Sequence, residues 1–366
     1  MRLKDVVLRT AKRVGGLALV RDSGWRRKRL LILCYHGVSL EDEHEWDSAL
    51  YVTQDRLRSR LQALKDGGYT ILPLAEATRR LYNHTLPARS VSLTFDDGTV
   101  DFERRALPVL REFNAPATLY LTTYYSVTRL PVFNTVLPYV LWRGRDSGGD
   151  VASLCESPAP MPVATDDQRA HARKCLGDYA VSRHFSAVEK DALVERVAAA
   201  VKVDYGDIKR RGMMQIMPPD VVRALPKDLV DVQLHTHRHR TPRDRELFMR
   251  EINDNVRVTH EVLGSTQALE HFCYPSGDYA GEFLEWLREC GVRYATTCVP
   301  ELASAHGDPL LLPRFVDTMG QSELSFEAWA TGFASLLPRK REFRLDGARL
   351  ATVEDAPPDA PFDDEY

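Results

Sequence analysis

Short apolar runs alternate with amphipathic segments in two parts of the chain, and this alternation predicts a parallel sheet covered by helices. The predicted strands of the first part are residues 30–35, 70–72, 90–95 and 117–121. Those of the second part are residues 229–234, 270–274, 293–297 and 310–316. The predicted helices between and after them are residues 53–65, 73–82, 101–113, 243–263, 281–289 and 323–337. The pattern therefore indicates an α/β fold.

The alternation stops between the two parts. Residues 126–220 show no clear strand pattern, and they include a stretch rich in Gly, Ser and Pro at 146–162. Two helical patterns lie near residues 166–176 and 186–202. We therefore predict a mostly helical insertion between the two halves of the sheet.

The two ends of the chain carry opposite charge. Residues 1–28 are strongly basic, and the pattern over 3–20 predicts an amphipathic helix whose apolar side carries Leu3, Val6, Val7, Thr10, Ala11 and Val14. Such a helix either lies on an anionic membrane surface or packs on the body with its basic face in water. Residues 338–366 form an acidic, Pro-rich tail, a composition typical of disorder.

Composition excludes several classes of protein. The net charge is −3, which argues against a general nucleic-acid binder. No apolar run reaches the roughly 18 residues that a spanning helix requires. The apolar stretch at 14–20 is short and broken by glycine, so we expect no signal peptide and a cytoplasmic protein. The six cysteines show no CxxC spacing, which favours buried free thiols in a reducing compartment.

Polar clusters follow four of the apolar runs. His36 follows the first run, Asp96 and Asp97 follow the run at 90–95, and residues 235–239 follow the run at 229–234. A Pro-Ser-Gly turn comes directly after the run at 270–274. Because the carboxyl ends of parallel strands meet at one edge, we expect these side chains to converge on a single pocket.

The residue types in these clusters are those of a hydrolytic metal site. Taken singly, Asp97-Gly98 is a favoured turn, and the pair His235 and His239 is a weak signal typical also of polar loops. Together, two histidines and one carboxylate make a three-ligand site with an open position for water. The second carboxylate of the Asp96-Asp97 pair then takes a proton from the water that the ion activates.

Three motifs in this order resemble the polysaccharide deacetylase family, whose domain is known as the NodB-homology fold. They are Thr-Phe-Asp-Asp-Gly at 94–98, His-Thr-His-Arg-His at 235–239 and Phe-Cys-Tyr-Pro-Ser-Gly at 272–277. Tyr35-His36 after the first strand is similar to a feature of one branch of the family. The resemblance covers roughly residues 30–125 and 221–320.

The resemblance implies a distorted (β/α)7 barrel with the helical insertion between its two halves. The expected segments are 1–28 (basic N-terminal segment), 29–125 (first barrel part), 126–220 (insertion), 221–337 (second barrel part) and 338–366 (tail). It implies Asp96 as the catalytic base, and the metal ligands Asp97, His235 and His239. It also implies that the backbone around Ser276 contributes to an oxyanion hole, in the turn formed by Tyr274, Pro275, Ser276 and Gly277.

Two family features are missing from the sequence. The third motif lacks the arginine that often holds the catalytic aspartate, and Arg314 at another strand is our candidate substitute. No late Leu-x-His motif supplies a general acid. His36 is our first candidate for that role, with His237 and His306 behind it.

The resulting hypothesis is a metal-dependent hydrolase that removes an N-acetyl group from a sugar and releases acetate. We expect one divalent ion, zinc in the first place, with cobalt, nickel, iron or manganese as alternatives. The expected substrate is a saccharide, lipid-linked if the basic N-terminus lies at the inner face of the membrane. The alternatives are hydrolysis of a non-sugar amide and a catalytically silent glycan-binding protein. A sugar site predicts exposed aromatic residues near the ion, with the candidates Tyr35, Tyr124, Tyr125 and Trp142.

Overall fold

A computed structural model describes residues 3–337, and its elements follow the predicted order. The strands are β1 Arg29–Tyr35, β2 Gly37–Val38, β3 Tyr51–Val52, β4 Thr70–Ile71, β5 Ser90–Phe95, β6 Ala117–Leu121, β7 Val230–Leu234, β8 His271–Cys273, β9 Tyr294–Thr296, β10 Ala303–Ser304 and β11 Phe315–Val316. The helices are α1 Leu3–Arg13, α2 Gly16–Arg21, α3 Gly24–Arg27, α4 Glu43–Trp46, α5 Gln54–Asp66, α6 Leu74–Tyr82, α7 Leu107–Phe113, α8 Thr123–Thr128, α9 Phe133–Arg143, α10 Asp166–Ser182, α11 Ala187–Ala200, α12 Tyr205–Arg211, α13 Pro219–Arg223, α14 Arg245–Leu263, α15 Gly281–Glu289 and α16 Glu323–Thr331.

The main sheet has the strand order β10-β1-β5-β6-β7-β8-β9, with β4 beside β5 and β11 beside β1. All of these pairings are parallel except that of β10 with β1. Leu312 continues the sheet beyond β9, because its N–H donates to the Ala295 carbonyl (2.8 Å) and its carbonyl accepts from Thr297 (2.9 Å). The segment that follows pairs with β1, so the sheet curls until its last strand meets its first. The predicted α/β fold, a distorted (β/α)7 barrel, is confirmed.

Side-chain alternation along the strands separates an apolar outer face from a polar inner one. On β5, Phe95 packs against Phe102 of the helix layer, with ring centroids 5.0 Å apart. On β7, Leu234 belongs to an apolar cluster with Phe248 of α14. The next residue along each strand therefore points into the barrel, and in both cases that residue belongs to a polar motif.

Residues 125–218 form a compact unit of their own. Helices α9 to α12 lie in this unit, and the apolar faces of α9 and α11 bury Val136, Val140, Leu193 and Val197. Thr165 and Ser186 begin α10 and α11 with capping boxes, in which each side chain accepts a hydrogen bond from a backbone N–H three residues on. The bounds of this unit lie within two residues of those expected for the helical insertion.

Several elements differ from the sequence prediction. The helix expected over 3–20 is broken at Gly15, whose φ of 77° ends α1 and begins α2. The strand expected over 310–316 is a 3₁₀ turn at Pro309–Leu311 followed by the short β11. Proline cannot donate a ladder hydrogen bond, and Pro309 and Pro313 bracket the part of the segment that fails to form a regular strand.

The C-terminal helix is also shorter than predicted. It ends at Thr331, where Gly332 adopts a φ of 85°, and a 3₁₀ turn follows. The tail at 338–366 lies outside the described residues. Within residues 3–337, no helix combines the length and apolar content needed to cross a bilayer.

Candidate metal and catalytic centre

Asp97, His235 and His239 meet at the carboxyl ends of β5 and β7. Asp97 Oδ1 lies 3.1 Å from His235 Nε2 and 3.2 Å from His239 Nε2. The His235 side chain is almost fully buried, whereas those of Asp97 and His239 remain 22% and 31% exposed. The structure thus brings together the three predicted metal ligands and leaves them open on one side.

Turns of left-handed backbone aim these side chains at one another. Asp97 and Gly98 have φ values of 70° and 85°, and Thr236 and His239 have φ values of 61° and 56°. Non-glycine residues at positive φ carry a steric cost, which functional sites accept when the surrounding structure holds them in place. The chain turns sharply after β5 and again after β7. These turns allow the side chains of Asp97 and His239 to face each other.

Hydrogen bonds orient His235 from both its backbone and its ring. The His235 N–H donates to the Asn255 side-chain oxygen (2.9 Å), and Nδ1 lies 2.8 Å from the carbonyl of Cys273. A carbonyl can only accept, so Nδ1 carries a proton, and Nε2 is the ring nitrogen on the Asp97 side that can bind an ion. This arrangement of a ring nitrogen held by a carbonyl is the one that metal-ligating histidines adopt.

The donor set fits a divalent cation. One oxygen and two nitrogens lie within 4.8 Å of one another. Ligands at about 2.0–2.1 Å from a tetrahedral ion are about 3.3 Å apart, close to the separations seen here. Burial favours the neutral form of Asp97, but the two imidazoles outweigh this and hold the pKa of its carboxyl well below the usual range. Asp97 therefore offers an ion an anionic oxygen, beside the ring nitrogens of His235 and His239.

Asp96 is paired with Arg314. The Arg314 guanidinium donates from Nη1 to Asp96 Oδ1 (2.7 Å) and from Nη2 to Oδ2 (2.8 Å), a bidentate contact. Both side chains are almost completely buried. Burial raises the pKa of the Asp96 carboxyl, but the guanidinium overrides it and holds the pKa well below its usual value. Asp96 is therefore ionised and fixed in orientation.

Arg314 is itself held by its neighbours. Its Nε donates to the Thr297 carbonyl (3.1 Å) and its Nη1 to the Thr94 hydroxyl (3.1 Å). The two other cation-binding combinations near Asp96, each of which includes a cysteine, contain the carboxylate that this arginine already neutralises. A cation therefore finds its anionic ligand at Asp97 rather than at Asp96.

Of the three candidate general acids, His36 is the ring that lies beside Asp96. Its Nε2 is 3.6 Å from Asp96 Oδ2, and its side chain is 21% exposed. His237 is buried and bonded through Nδ1 to Thr123 (2.8 Å), and burial lowers its pKa to about 4. His306 lines a cleft of about 600 Å³ whose lining does not include Asp96 or the three metal ligands. The geometry thus favours His36.

The predicted oxyanion turn forms a 3₁₀ turn at Pro275–Gly277. The N–H of Tyr274 donates to the Thr296 carbonyl (3.3 Å), and that of Gly277 donates to the Tyr274 carbonyl (2.9 Å). Pro275 has no N–H. Ser276 is exposed and has a φ of 57°, so its N–H is the candidate donor in this turn.

Sequence reasoning missed three thiols at the centre. Cys34 and Cys273 each place Sγ 3.5 Å from Asp96 Oδ2, and Cys298 lies beside the arginine of the pair. Strand alternation could have found them, because Cys34 precedes His36 by two positions and so shares its face. Alternation along the strand likewise predicts that Cys273, at the end of β8, and Cys298, just beyond β9, face the barrel interior.

One expected aromatic is not available to a ligand. Tyr35 is buried, and its hydroxyl donates to Asp317 (3.2 Å), which also accepts from Arg60 (2.9 Å). The prediction that Tyr35 is exposed near the ion is wrong, since alternation turns it away from the barrel interior. Tyr124 and Tyr125 are half-buried.

Comparison with known proteins identifies a family whose sequence profile this chain matches. The sequence profile of the family described as polysaccharide deacetylase matches residues 83–154 and 176–295. The poly-beta-1,6-N-acetyl-D-glucosamine N-deacetylase of Escherichia coli K12 is 25% identical over 292 residues, which cover 79% of this chain. The match spans only 36% of that relative.

Solved structures share the fold. The deacetylase PplD of Streptococcus pyogenes superposes with a TM-score of 0.53 at 20% identity, over 81% of this chain and 96% of that one. IcaB from Ammonifex degensii superposes with a TM-score of 0.53 at 18% identity, over 83% and 97% of the two chains. At these identities the likeness shows the fold alone.

Proposed function

This chain belongs to the polysaccharide deacetylase family, and from that membership we propose that it removes the acetyl group from N-acetylglucosamine units of a glycan. The products are acetate and a free amine. The observation that carries the proposal is the juxtaposition of the Asp97, His235 and His239 ligand set with the buried Asp96–Arg314 pair.

Asp97, His235 and His239 would hold a divalent ion, with zinc first and cobalt, nickel, iron or manganese as alternatives. When bound, such an ion polarises the acetyl carbonyl and lowers the pKa of water to about 7. The open side of the site, where Asp97 and His239 are partly exposed, is where the acetyl group would enter.

Asp96 accepts the proton of the attacking water. Its carboxylate is ionised, and Oδ1 accepts one hydrogen bond from Arg314 Nη1, which leaves that oxygen a second lone pair for the proton. The guanidinium also keeps the carboxylate from rotating, so the accepting oxygen stays in position before substrate arrives. Arg314 is thus a positioning residue.

The remaining two steps fall to the Ser276 turn and to His36. Attack on the amide carbon places negative charge on the carbonyl oxygen, and the N–H of the exposed residue Ser276 can donate to it. Collapse of the tetrahedral species then requires a proton on the leaving nitrogen. His36 is the general acid in this proposal, because its ring lies beside Asp96 and reaches solvent.

A His36→Gln variant is expected to release acetate from an N-acetylated sugar about 100-fold more slowly, the lower end of the range for loss of an acid or base. The same variant should hydrolyse an aryl acetate ester at nearly the parent rate, since a phenolate leaves without protonation. A His306→Gln variant is the matched control. Equal losses on both substrates would remove His36 from the acid role.

The proposed sugar comes from the family and from the name of the Escherichia coli relative, which acts on poly-beta-1,6-N-acetyl-D-glucosamine. The test is acetate release from β-1,6-linked N-acetylglucosamine oligomers, compared with cyclic amides of similar size. Preference for the oligomers supports the proposal. Hydrolysis of cyclic amides alone would move the chain to non-sugar amides, and failure on both, with ion bound, would indicate a silent glycan-binding protein.

We also propose that the chain works on a lipid-linked glycan at the inner face of the membrane, through residues 1–28. Leu8 and Leu17 of α1 and α2 are buried, but Val14 and Leu19 are 73% and 74% exposed. Exposed basic residues accompany them, namely Arg9, Arg13, Arg27 and Lys28. Exposed apolar side chains among basic ones suit an anionic membrane surface.

Replacing both Val14 and Leu19 by aspartate is expected to lower co-sedimentation with phosphatidylserine vesicles by about tenfold or more, since each apolar side chain loses its burial in the lipid. Val188→Asp, at a site 68% exposed in the helical unit, is the matched control. Deletion of residues 1–28 is a poorer test, because the buried Arg26 donates to the Ala330 carbonyl (3.1 Å) and so supports the fold. Unchanged partitioning of the double variant would rule out this surface.

A further inference from the structure

Three cysteines from three different strand ends surround the Asp96–Arg314 pair. Cys34 Sγ lies 3.5 Å from Asp96 Oδ2, and Cys273 Sγ lies 3.5 Å from the same oxygen. Arg314 Nη2 contacts both Cys273 Sγ (3.0 Å) and Cys298 Sγ (3.6 Å). The proposed hydrolysis uses none of these thiols, so it does not explain why three of them cluster around Asp96 and Arg314.

The three thiols differ in access. Cys34 and Cys273 are fully buried, whereas Cys298 is partly exposed. Cys298 also packs against the oxyanion turn, because a Cβ built at Gly277 would lie 3.0 Å from the Cys298 Cβ. One partly accessible sulfur thus touches both the arginine that holds Asp96 and the turn that carries Ser276.

The surroundings of Cys298 also favour reactivity. A hydrogen bond from the Cys34 thiol lowers the pKa of Cys298 to about 6, and Arg314 acts in the same direction. Burial raises the pKa of Cys34 well above its usual value, so Cys34 remains a thiol that donates. A thiolate with some access to solvent, next to a second cysteine, is the arrangement of oxidant-sensitive cysteines.

We propose that Cys298 is a site of oxidative modification that forms a disulfide with Cys34 and thereby switches the catalytic centre off. With hydrogen peroxide as the oxidant, the Cys298 sulfur attacks one peroxide oxygen, the O–O bond breaks, and the first water leaves. The Cys34 sulfur then attacks the resulting sulfenic sulfur, the S–S bond forms, and the second water leaves. Two thiols are oxidised by two electrons, and one peroxide is reduced to two waters.

The disulfide slows hydrolysis by moving the groups that hold Asp96 and Arg314 in position. Forming an S–S bond of about 2 Å draws together β1 and the segment after β9, and removes the Cys34 thiol from the Asp96 carboxylate. It also displaces Cys298 from Arg314 and from Gly277. A shift of about 1 Å in positioning groups is enough for about a 100-fold loss of rate.

The test treats the full chain with hydrogen peroxide, stops the reaction with catalase, and splits the sample. One half is digested without reduction and searched by mass spectrometry for a peptide pair that links Cys34 to Cys298. The other half is assayed for acetate release before and after dithiothreitol. We expect the linked pair, about a 100-fold loss of activity, and recovery on reduction. The mass-spectrometric readout does not depend on activity, so it tests the disulfide even if the chain does not hydrolyse N-acetylated sugars.

Variants make the assignment specific. Cys298→Ser and Cys34→Ser should abolish the cross-link, and the ratio of peroxide-treated to untreated activity should rise toward one in each. Cys290 is a partly buried cysteine that directly follows α15 and contacts Met249, and the Cys290→Ser variant should behave like the parent. Linkage of Cys298 to Cys273, absence of any cross-link, or equal peroxide sensitivity of Cys298→Ser would overturn the proposal.

Discussion

An Asp96→Asn variant should release acetate about 10²- to 10⁴-fold more slowly than the parent, the range expected when a general base is removed. Asparagine keeps the shape of the side chain and still offers one oxygen to Arg314. It cannot take a proton from water. Initial rates on N-acetylglucosamine oligomers with saturating divalent ion would measure the loss.

The matched control is Asp146→Asn, since the Asp146 side chain is 90% exposed in the helical unit. It should retain the parent rate. Circular dichroism and bound-ion content of Asp96→Asn should equal those of the parent, because the ligand set does not include Asp96. A parent-like rate from a folded, ion-loaded Asp96→Asn variant would exclude Asp96 as the base.

Arg314→Met is expected to lower the free energy of unfolding by about 3–5 kcal/mol, the usual result of removing one partner of a buried ion pair. The loss comes mainly from the uncompensated Asp96 carboxylate, which remains buried. The double variant Asp96→Asn with Arg314→Met should therefore be less destabilised than the two single losses add up to. Urea denaturation of the four proteins gives these values.

The pH dependence of Arg314→Met follows from the same pair. In the parent, Arg314 depresses the pKa of Asp96, so the contribution of its charge to stability is present above the unfolded pKa and is lost as pH falls through the folded one. Without the guanidinium, burial is opposed by the smaller effects of His36 and His235, and it raises that pKa. The variant should then be more destabilised at about pH 8 than at about pH 5, and its acetate release should fall at a higher pH on the acid side. A destabilisation independent of pH would contradict this account.

Much of the fold can be predicted from the sequence, because the barrel strands are short, apolar and bounded by polar motifs. The runs that become β5 and β7 end directly at Asp96 and at His235, which places both motifs at one edge of the sheet. The helix that becomes α5 begins at Thr53, whose side chain accepts from the N–H of Arg56 as a cap should. Local chemistry decides these features, so a local pattern predicts them.

Other features depend on contacts between distant residues. Arg314 meets Asp96 across 218 positions. No spacing rule identifies that partner, and Arg314 became a candidate through the family resemblance alone. The two-residue strand β10 pairs antiparallel with β1 and is too short to carry a pattern. Leu312 and β11 close the sheet between β9 and β1, which no local run of residues encodes.

The loss of acetate release expected for Asp96→Asn depends on one arrangement: a divalent ion held by Asp97, His235 and His239, beside an ionised Asp96. The most direct measurement is an anomalous difference map from crystals of the full chain grown with a single divalent ion, recorded above and below its absorption edge. We expect one strong peak about 2.0–2.2 Å from Asp97 Oδ1 and the Nε2 atoms of both histidines. No peak there at saturating ion, or a peak bound instead by Cys34, His36 and Asp96, would contradict it.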